Sequence, residues 1–282
     1  MSGLAGPIWL VGCGKMGGAL ADGWLAAGLV PARLTVVEAA SEIRDAWAAR
    51  GALTVAEPAA LPAPDRPEDV PQALVVAVKP QQMASVLASL AGKVPPATAV
   101  VSIAAGTPIA TFTAALGAHR PVVRAMPNTP AAIGRGATAL VANAACDDAT
   151  RALATTLMGA VGQTVWLDDE AQMHAVTALS GSGPAYVFLL VEAMTRAAVE
   201  RGLEPTLAAE LARATVGGAG ELVRTSAEPA ATLRRNVTSP GGTTAAALEV
   251  LMAADGLQPL MNRAIAAAAD RSIALAKPED ER

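Results

Sequence analysis

Two clusters of small residues in this chain could hold anions without any charged side chain. The first is "VGCGKMGGAL", which places Gly12, Gly14 and Gly17 in a G-x-G-x-x-G pattern behind the β-branched run "IWLVG". There Gly12 permits a tight turn, Gly14 lets a pyrophosphate approach the backbone, and Gly17 lets a helix pack on the strand. The helix N-terminus adds unpaired N–H groups and partial positive charge. The second cluster is "NVTSPGGTT" at 236–244, which interrupts an otherwise alanine-rich helical region. Gly241 and Gly242 let the backbone curl and expose N–H groups, and Thr243 and Thr244 begin the next helix, a place suited to a carboxylate. Ser and Thr are also ordinary N-caps, but four hydroxyls and two glycines exceed what capping requires.

Two further residues bear on a bound dinucleotide. Glu38 ends the next β-branched run, "LTVVE", where an acid can accept hydrogen bonds from the adenosine ribose hydroxyls and would repel a 2′-phosphate. At an effective dielectric near 20, like unit charges ~4 Å apart repel by about 4 kcal/mol. An engaged Glu38 therefore favours NADH over NADPH; turned to solvent, it would discriminate nothing. Lys79, in "AVKP" at the end of another expected strand, can reach the ribose or phosphates from the carboxyl edge of the sheet.

The reaction class follows from which side chains are scarce. A hydroxy-acid dehydrogenase needs a Lys or His near the hydroxyl as general base. No lysine occurs between Lys93 and Lys277, and the histidines are His119 and His174. His119 sits in the turn-like "ALGAHRP" and reads as surface. His174 lies on an expected helix just before "SGSGPAY", where it reads as structural or as a supporting hydrogen-bond partner. Hydride addition to an iminium needs no strong enzymic acid, because the nitrogen can arrive protonated. It needs fixed donors for a carboxylate, a neutral partner for the nitrogen, and a held nicotinamide.

The elements that must position these groups come in two kinds. Short apolar runs at 8–12, 34–38, 73–80, 97–106, 120–127, 136–142 and 163–169 alternate with helical stretches in the first part, as in a parallel sheet covered by helices. A proline-rich connection spans 57–72. Beyond about Asp169 helical periodicity takes over, with helices expected near 170–179, 184–201, 205–225, 229–236, 243–254 and 257–276. The fold class is thus α/β, a Rossmann dinucleotide-binding domain at 1–168 followed by an all-α domain at 169–282, with "KPEDER" as a frayed end.

Composition narrows the partners. The 282 residues are 52% hydrophobic but only 2% aromatic, and 25 acids against 21 bases give a net charge of −4. Without a basic run, nucleic acid is not an expected partner. Cys13 and Cys146 are isolated, which points to a reducing, cytoplasmic setting and no metal site. The N-terminus does not resemble a secretory signal. The charge-free stretch 94–118 is broken by Pro95, Pro96, Gly106 and Pro108, so no membrane span is expected there.

Taken in order, "VGCGKMGGAL", "AVKP", "SIAAG", "RAMPNTP", "SGSGPAYVF" and "SPGGTT" run the length of a chain that resembles pyrroline-5-carboxylate reductase. The resemblance implies NADH- or NADPH-dependent reduction of the cyclic imine Δ1-pyrroline-5-carboxylate to L-proline, the last step of proline biosynthesis. It implies that Ser239, Gly241, Gly242 and Thr243 bind the substrate carboxylate, while Thr244 contacts the ring nitrogen as the catalytic candidate. Cofactor residues would be Gly12, Gly14, Lys15, Met16, Gly17 and Glu38. Ala77, Val78 and Lys79 would lie on the ribose side, with Ser102, Ala104, Ala105, Met126, Pro127 and Asn128 at the nicotinamide. It further implies a homodimer through the C-terminal helices, stacked into a ring such as a pentamer of dimers. Some members have an Asn at the adenosine ribose where this chain reads "TVAEPAA", and its proline-rich connection is longer; Glu38, with Glu57 near it, supports NADH. Reduction of a related cyclic imine carboxylate, and a non-catalytic dinucleotide-sensing protein, are the alternatives.

Overall fold

A computed structural model describes residues 6–276, so the tail "KPEDER" lies outside the described residues. The first part builds one sheet from β1 (Ile8–Val11), β2 (Leu34–Val37), β3 (Leu53–Val55), β4 (Ala73–Val76), β5 (Ala99–Ser102), β6 (Val122–Met126), β7 (Gly136–Ala142) and β8 (Gly162–Trp166). Its helices are α1 (Lys15–Ala26), α2 (Ser41–Ala49), α3 (Met83–Leu90), α4 (Ile109–Leu116) and α5 (Asp148–Gly159).

The strand order is β3-β2-β1-β4-β5-β6-β7-β8. β1 through β6 are parallel, with Ile8 beside Leu34 on one side and Ala73 on the other. The order reverses direction between β1 and β4, and a ligand crevice forms at the carboxyl ends of strands at such a point. The expected all-parallel sheet needs one correction. β7 runs antiparallel to β6, and β8 follows β7 in that reversed sense. The link from Met126 to Gly136 holds only a short 3-10 turn, Thr129–Ile133, and a parallel return would need a dozen or more residues.

Every residue of β1, β2, β4 and β5 is buried, as befits strands covered on both faces. Alternation divides them between two cores. Ile8, Leu10, Val36, Val75 and Leu140 pack with Leu20, Trp24, Leu157 and Met158 on one face. Trp9, Val11, Leu74, Val76 and Val100 pack with Leu87, Leu90, Phe112 and Met173 on the other. The indole N–H of the fully buried Trp24 donates to the Leu157 carbonyl at 2.8 Å, so the largest core side chain leaves no orphan donor.

The remaining helices are α6 (Met173–Val176), α7 (Gly183–Glu200), α8 (Pro205–Thr225), α9 (Ala230–Asn236), α10 (Thr243–Leu251) and α11 (Leu257–Ala276). The helix expected at 170–179 is broken into a 3-10 turn (Glu170–Gln172), α6 and a π turn (Thr177–Gly181). Packing divides the chain at Gly181–Ser182 and again at Ala268–Ala269, within α11. One compact unit thus holds the sheet and the last turns of α11, and the other holds Ser182–Ala268. The expected division at 168/169 falls inside the first unit, because Met173 and Ala178 are fully buried.

The second unit has almost no interior of its own. Of its residues, only Ala208 and Ala212 are buried, while Phe188 is 61% and Val250 71% exposed. Among the described residues, 170–200 is the one helical run long and apolar enough, by length and composition, to cross a membrane. Glu192, Arg196 and Glu200 lie within it. A helical layer with this little buried apolar area is completed by another surface. Phe188→Asp is therefore expected to shift the protein toward a smaller sedimenting species and to lower its melting temperature. Unchanged sedimentation velocity would show that Phe188 is not on the covered face.

Candidate active site

The glycine-rich turn lies where β1 passes into α1. Gly12 has φ 89°, and a Cβ there would stand 2.8 Å from the Ala77 carbonyl oxygen. A Cβ on Gly17 would stand 2.2 Å from the Gly12 carbonyl oxygen. A Cβ on Gly14 would meet nothing within 4 Å. The first two glycines thus exist for backbone packing, and the third leaves open space over the start of α1. Gly14 is the N-cap of α1, without a side-chain cap or an acid in the first turn, so the leading N–H groups and helix dipole are available to an anion. This donor set fits a pyrophosphate.

Glu38 is not turned to solvent. Its carboxylate accepts hydrogen bonds from the Cys13 N–H at 2.8 Å and the Ala40 N–H at 3.1 Å, which fixes it against the glycine turn. Glu57 is exposed just beyond β3. Arg44, on α2, was not singled out from the sequence. Its Nη1 donates to the carbonyls of Glu38 (2.8 Å) and Ala39 (2.6 Å), which brings a positive charge to the same strand end. A basic residue a few positions past the acid is the signal that could have found it. Burial, and then the Glu38 charge, push the Cys13 thiol up to about 12, so this cysteine is inert.

A cavity of about 330 Å³ opens beside the turn, lined by Gly14, Lys15, Met16, Ala77, Val78, Lys79, Ile103, Ala104, Ala105, Met126 and Pro127. Apart from Ile103, all of these are residues that the sequence motifs single out. β4 ends at Val76, so Lys79 stands beyond the strand as the N-cap of a 3-10 turn. Larger hollows, of about 700 Å³ beside the exposed His119 and about 580 Å³ beside Gln72, lie away from the glycine turn.

Ser102 and Asn128 are absent from the cavity wall and shape it from behind. The fully buried Ser102 accepts from the Ala104 N–H through Oγ at 3.2 Å and so bends the β5–α4 turn. Asn128 spends both ends of its amide. Oδ1 accepts from the Ala137 N–H at 2.8 Å, and Nδ2 donates to the Ser180 carbonyl at 3.1 Å, pinning the end of β6 to the π turn. His174 makes its hydrogen bond within the first unit and does not line the cavity. Its Nδ1 lies 3.0 Å from Ser272 Oγ on α11, and burial, followed by the Arg124 charge, lowers its pKa.

The hydroxyl-rich loop is in the second unit. Gly241 has φ 69°, and Gly242 caps α10 with extended backbone and no side-chain bond, with no acid in the first turn. The Gly242 N–H donates to the Ser239 carbonyl at 3.0 Å, which closes the turn. The Thr238 hydroxyl is taken by the Arg234 carbonyl at 2.6 Å. By contrast, the hydroxyls of Ser239, Thr243 and Thr244 show no hydrogen bond among the described residues. Residues 237–244 include no titratable side chain.

Comparison with known proteins places these features in one lineage. A family described as "Pyrroline-5-carboxylate reductase dimerisation" matches 170–275, and one described as "NADP oxidoreductase coenzyme F420-dependent" matches 7–106. The chain is 43% identical to a pyrroline-5-carboxylate reductase of Pseudomonas aeruginosa over 270 residues, 96% of this chain and 97% of that one. It is 37% identical to the Pasteurella multocida reductase, covering 94% and 96%. Among solved structures, a pyrroline-5-carboxylate reductase from Coxiella burnetii superposes with TM-score 0.87 at 34% identity, covering 97% of this chain and 100% of that one. The Plasmodium falciparum enzyme with NADP bound gives TM-score 0.81 at 27% identity, covering 97% and 99%.

The two kinds of glycine separate experimentally. Gly17→Ala is expected to destabilise the protein by more than about 2 kcal/mol, as backbone must move to admit the methyl group. Gly14→Ala should keep the melting temperature but weaken dinucleotide binding in a titration. Equal effects of the two on stability would contradict this division.

Proposed function

The chain belongs to the pyrroline-5-carboxylate reductase family, and from that premise we propose how its residues divide the reduction of pyrroline-5-carboxylate to proline by NAD(P)H. The observation that carries this reading is the loop Ser239–Thr244, a helix start with a left-handed glycine, free hydroxyls and no titratable group. Such a loop suits a small anion whose electrophilic centre brings its own proton.

In this proposal the amides at Gly241, Gly242 and Thr243, with the Ser239 hydroxyl, hold the substrate carboxylate, and the Thr244 hydroxyl accepts a hydrogen bond from the ring N–H. When bound, the dinucleotide supplies the hydride that adds to the C=N carbon, and the nitrogen lone pair forms as that π bond breaks. Gly14 and the first turn of α1 take the pyrophosphate. Ala77 to Lys79 face the ribose, and Ile103 to Ala105 with Met126 and Pro127 enclose the nicotinamide. Ser102 and Asn128 act on that wall from behind. The expected boundary at 168/169 marks where the sequence turns helical; we assign nucleotide binding to the first compact unit, which takes in 169–181 and the last turns of α11, and dimerisation with substrate binding to Ser182–Ala268. We assign the dimer to the exposed α7–α8 layer and extend it to a ring of dimers. Buried free thiols at Cys13 and Cys146 suit a cytoplasmic protein.

Purified protein is expected to oxidise NADH or NADPH when pyrroline-5-carboxylate is added; absence of turnover with both would refute the activity, leaving a binding protein. Thr244→Ala should lose about 1.5 to 3 kcal/mol of transition-state binding, roughly 10- to 100-fold in kcat/KM, with Thr244→Ser restoring most of it. A preference for a six-membered imine in competition would move the substrate assignment.

On the adenosine side we propose NADH as the preferred cofactor, because the Glu38 carboxylate is held in place by two amides. The Arg44 charge at the same strand end softens that preference. Glu38→Ala should therefore narrow the ratio of kcat/KM for NADH over NADPH, and a ratio favouring NADPH in the unmutated protein would reverse the role given to Glu38.

A further inference from the structure

Glu170 stands at a junction of three parts of the first unit. It opens the 3-10 turn that follows β8. Its Oε1 accepts a hydrogen bond from the Ile109 N–H at 2.9 Å and another from Arg124 Nη1 at 2.8 Å. The Arg124 side chain is 4% exposed and that of Glu170 32%. A guanidinium so removed from water is stable only when paired, so this contact is part of how β6 is built.

Neither donor lines the 330 Å³ cavity, and Ile109 and Glu170 line the 700 Å³ hollow beside His119, but each donor is joined along the chain to residues that do line the smaller cavity. Ile109 begins α4, directly after the turn that carries Ile103, Ala104 and Ala105. Arg124 is on the same face of β6 as Met126, two residues along. β5 and β6 pair directly, with Ser102 opposite Arg124, and the Glu170 carboxylate adds a link from the Arg124 side chain to the first residue of α4. His174, on α6, feels both charges, but its own hydrogen bond goes to Ser272. The adenosine end is built elsewhere, on β1 and β2, across β4 from these strands.

We propose that Arg124 and Glu170 are positioning residues for the nicotinamide half of the cofactor, linking β6 to the start of α4 without touching it. The proposal rests on assigning the smaller cavity to the nicotinamide. Without the carboxylate, the first turn of α4 and the end of β6 lose their common anchor, and Arg124 is left buried and unpaired. The defect is local: the glycine turn and Glu38 share none of these bonds.

Full-length protein carrying Glu170→Ala or Glu170→Gln would be titrated with NADH and, separately, with ADP-ribose, which lacks the nicotinamide. Glu170→Ala is expected to weaken NADH roughly tenfold, and Glu170→Gln, which keeps an oxygen for the Ile109 N–H but loses the charge, about threefold. ADP-ribose should stay within about twofold of the unmutated protein in both. Equal weakening of the two ligands, or unchanged NADH binding, overturns the clamp while leaving the activity in place. If Glu170→Ala does not fold, Glu170→Gln and Arg124→Lys decide it by the same comparison. Failure of the unmutated protein to bind NADH overturns the cavity assignment and the clamp with it.

Discussion

The first unit depends on a place where no side chain fits. Gly12 and Gly17 bring the start of α1 into van der Waals contact with the end of β1 and with Ala77 beyond β4. That closeness aims the unsatisfied N–H groups of a helix along the edge formed by the fully buried strands β1, β2, β4 and β5. Glu38, whose carboxylate reaches the Cys13 N–H, then ties β2 to the same turn. A single methyl group at either glycine would push these three strand ends apart. The binding edge and the packing constraint are one feature.

The second unit answers a different constraint. Its helices are rich in Ala and Leu and α7 packs on α8, but only Ala208 and Ala212 are buried, which leaves much apolar area for a surface outside the unit to cover. Residues 170–275 match a family described by its dimerisation, in keeping with a chain that oligomerises. The hydroxyl loop before α10 is therefore carried by helices whose apolar faces are largely uncovered within the chain.

What could be read in advance followed from local chemistry. The glycine spacing, the acid closing β2 and the Pro-Gly-Gly turn before a helix each depend on neighbours within a few residues, and each lies where expected. Helices α8 and α11 match their expected bounds because Pro205 and the breaks before them act locally. Glu170, Arg124 and Ile109 could not be read, since their bonds span 46 and 61 residues of chain. The same holds for Asn128, whose partner Ser180 is 52 residues away; its motif marks it as a site residue, but its amide is committed to the scaffold. The reversal of β7 is a different case. The short link after Met126 carried that information, and β-branched runs alone say nothing of strand direction.

One continuous helix, α11, starts in one compact unit and ends in the other. Its last turns press the Leu275 carbonyl to within 3.5 Å of where a side chain on Gly106 would begin, and place Ser272 against His174. The last turns of α11 are thus a structural member of the nucleotide-binding half. A ribosome that has finished residues 6–181 has not yet made everything that half contains. Completion of the cofactor side waits until α11 has been made.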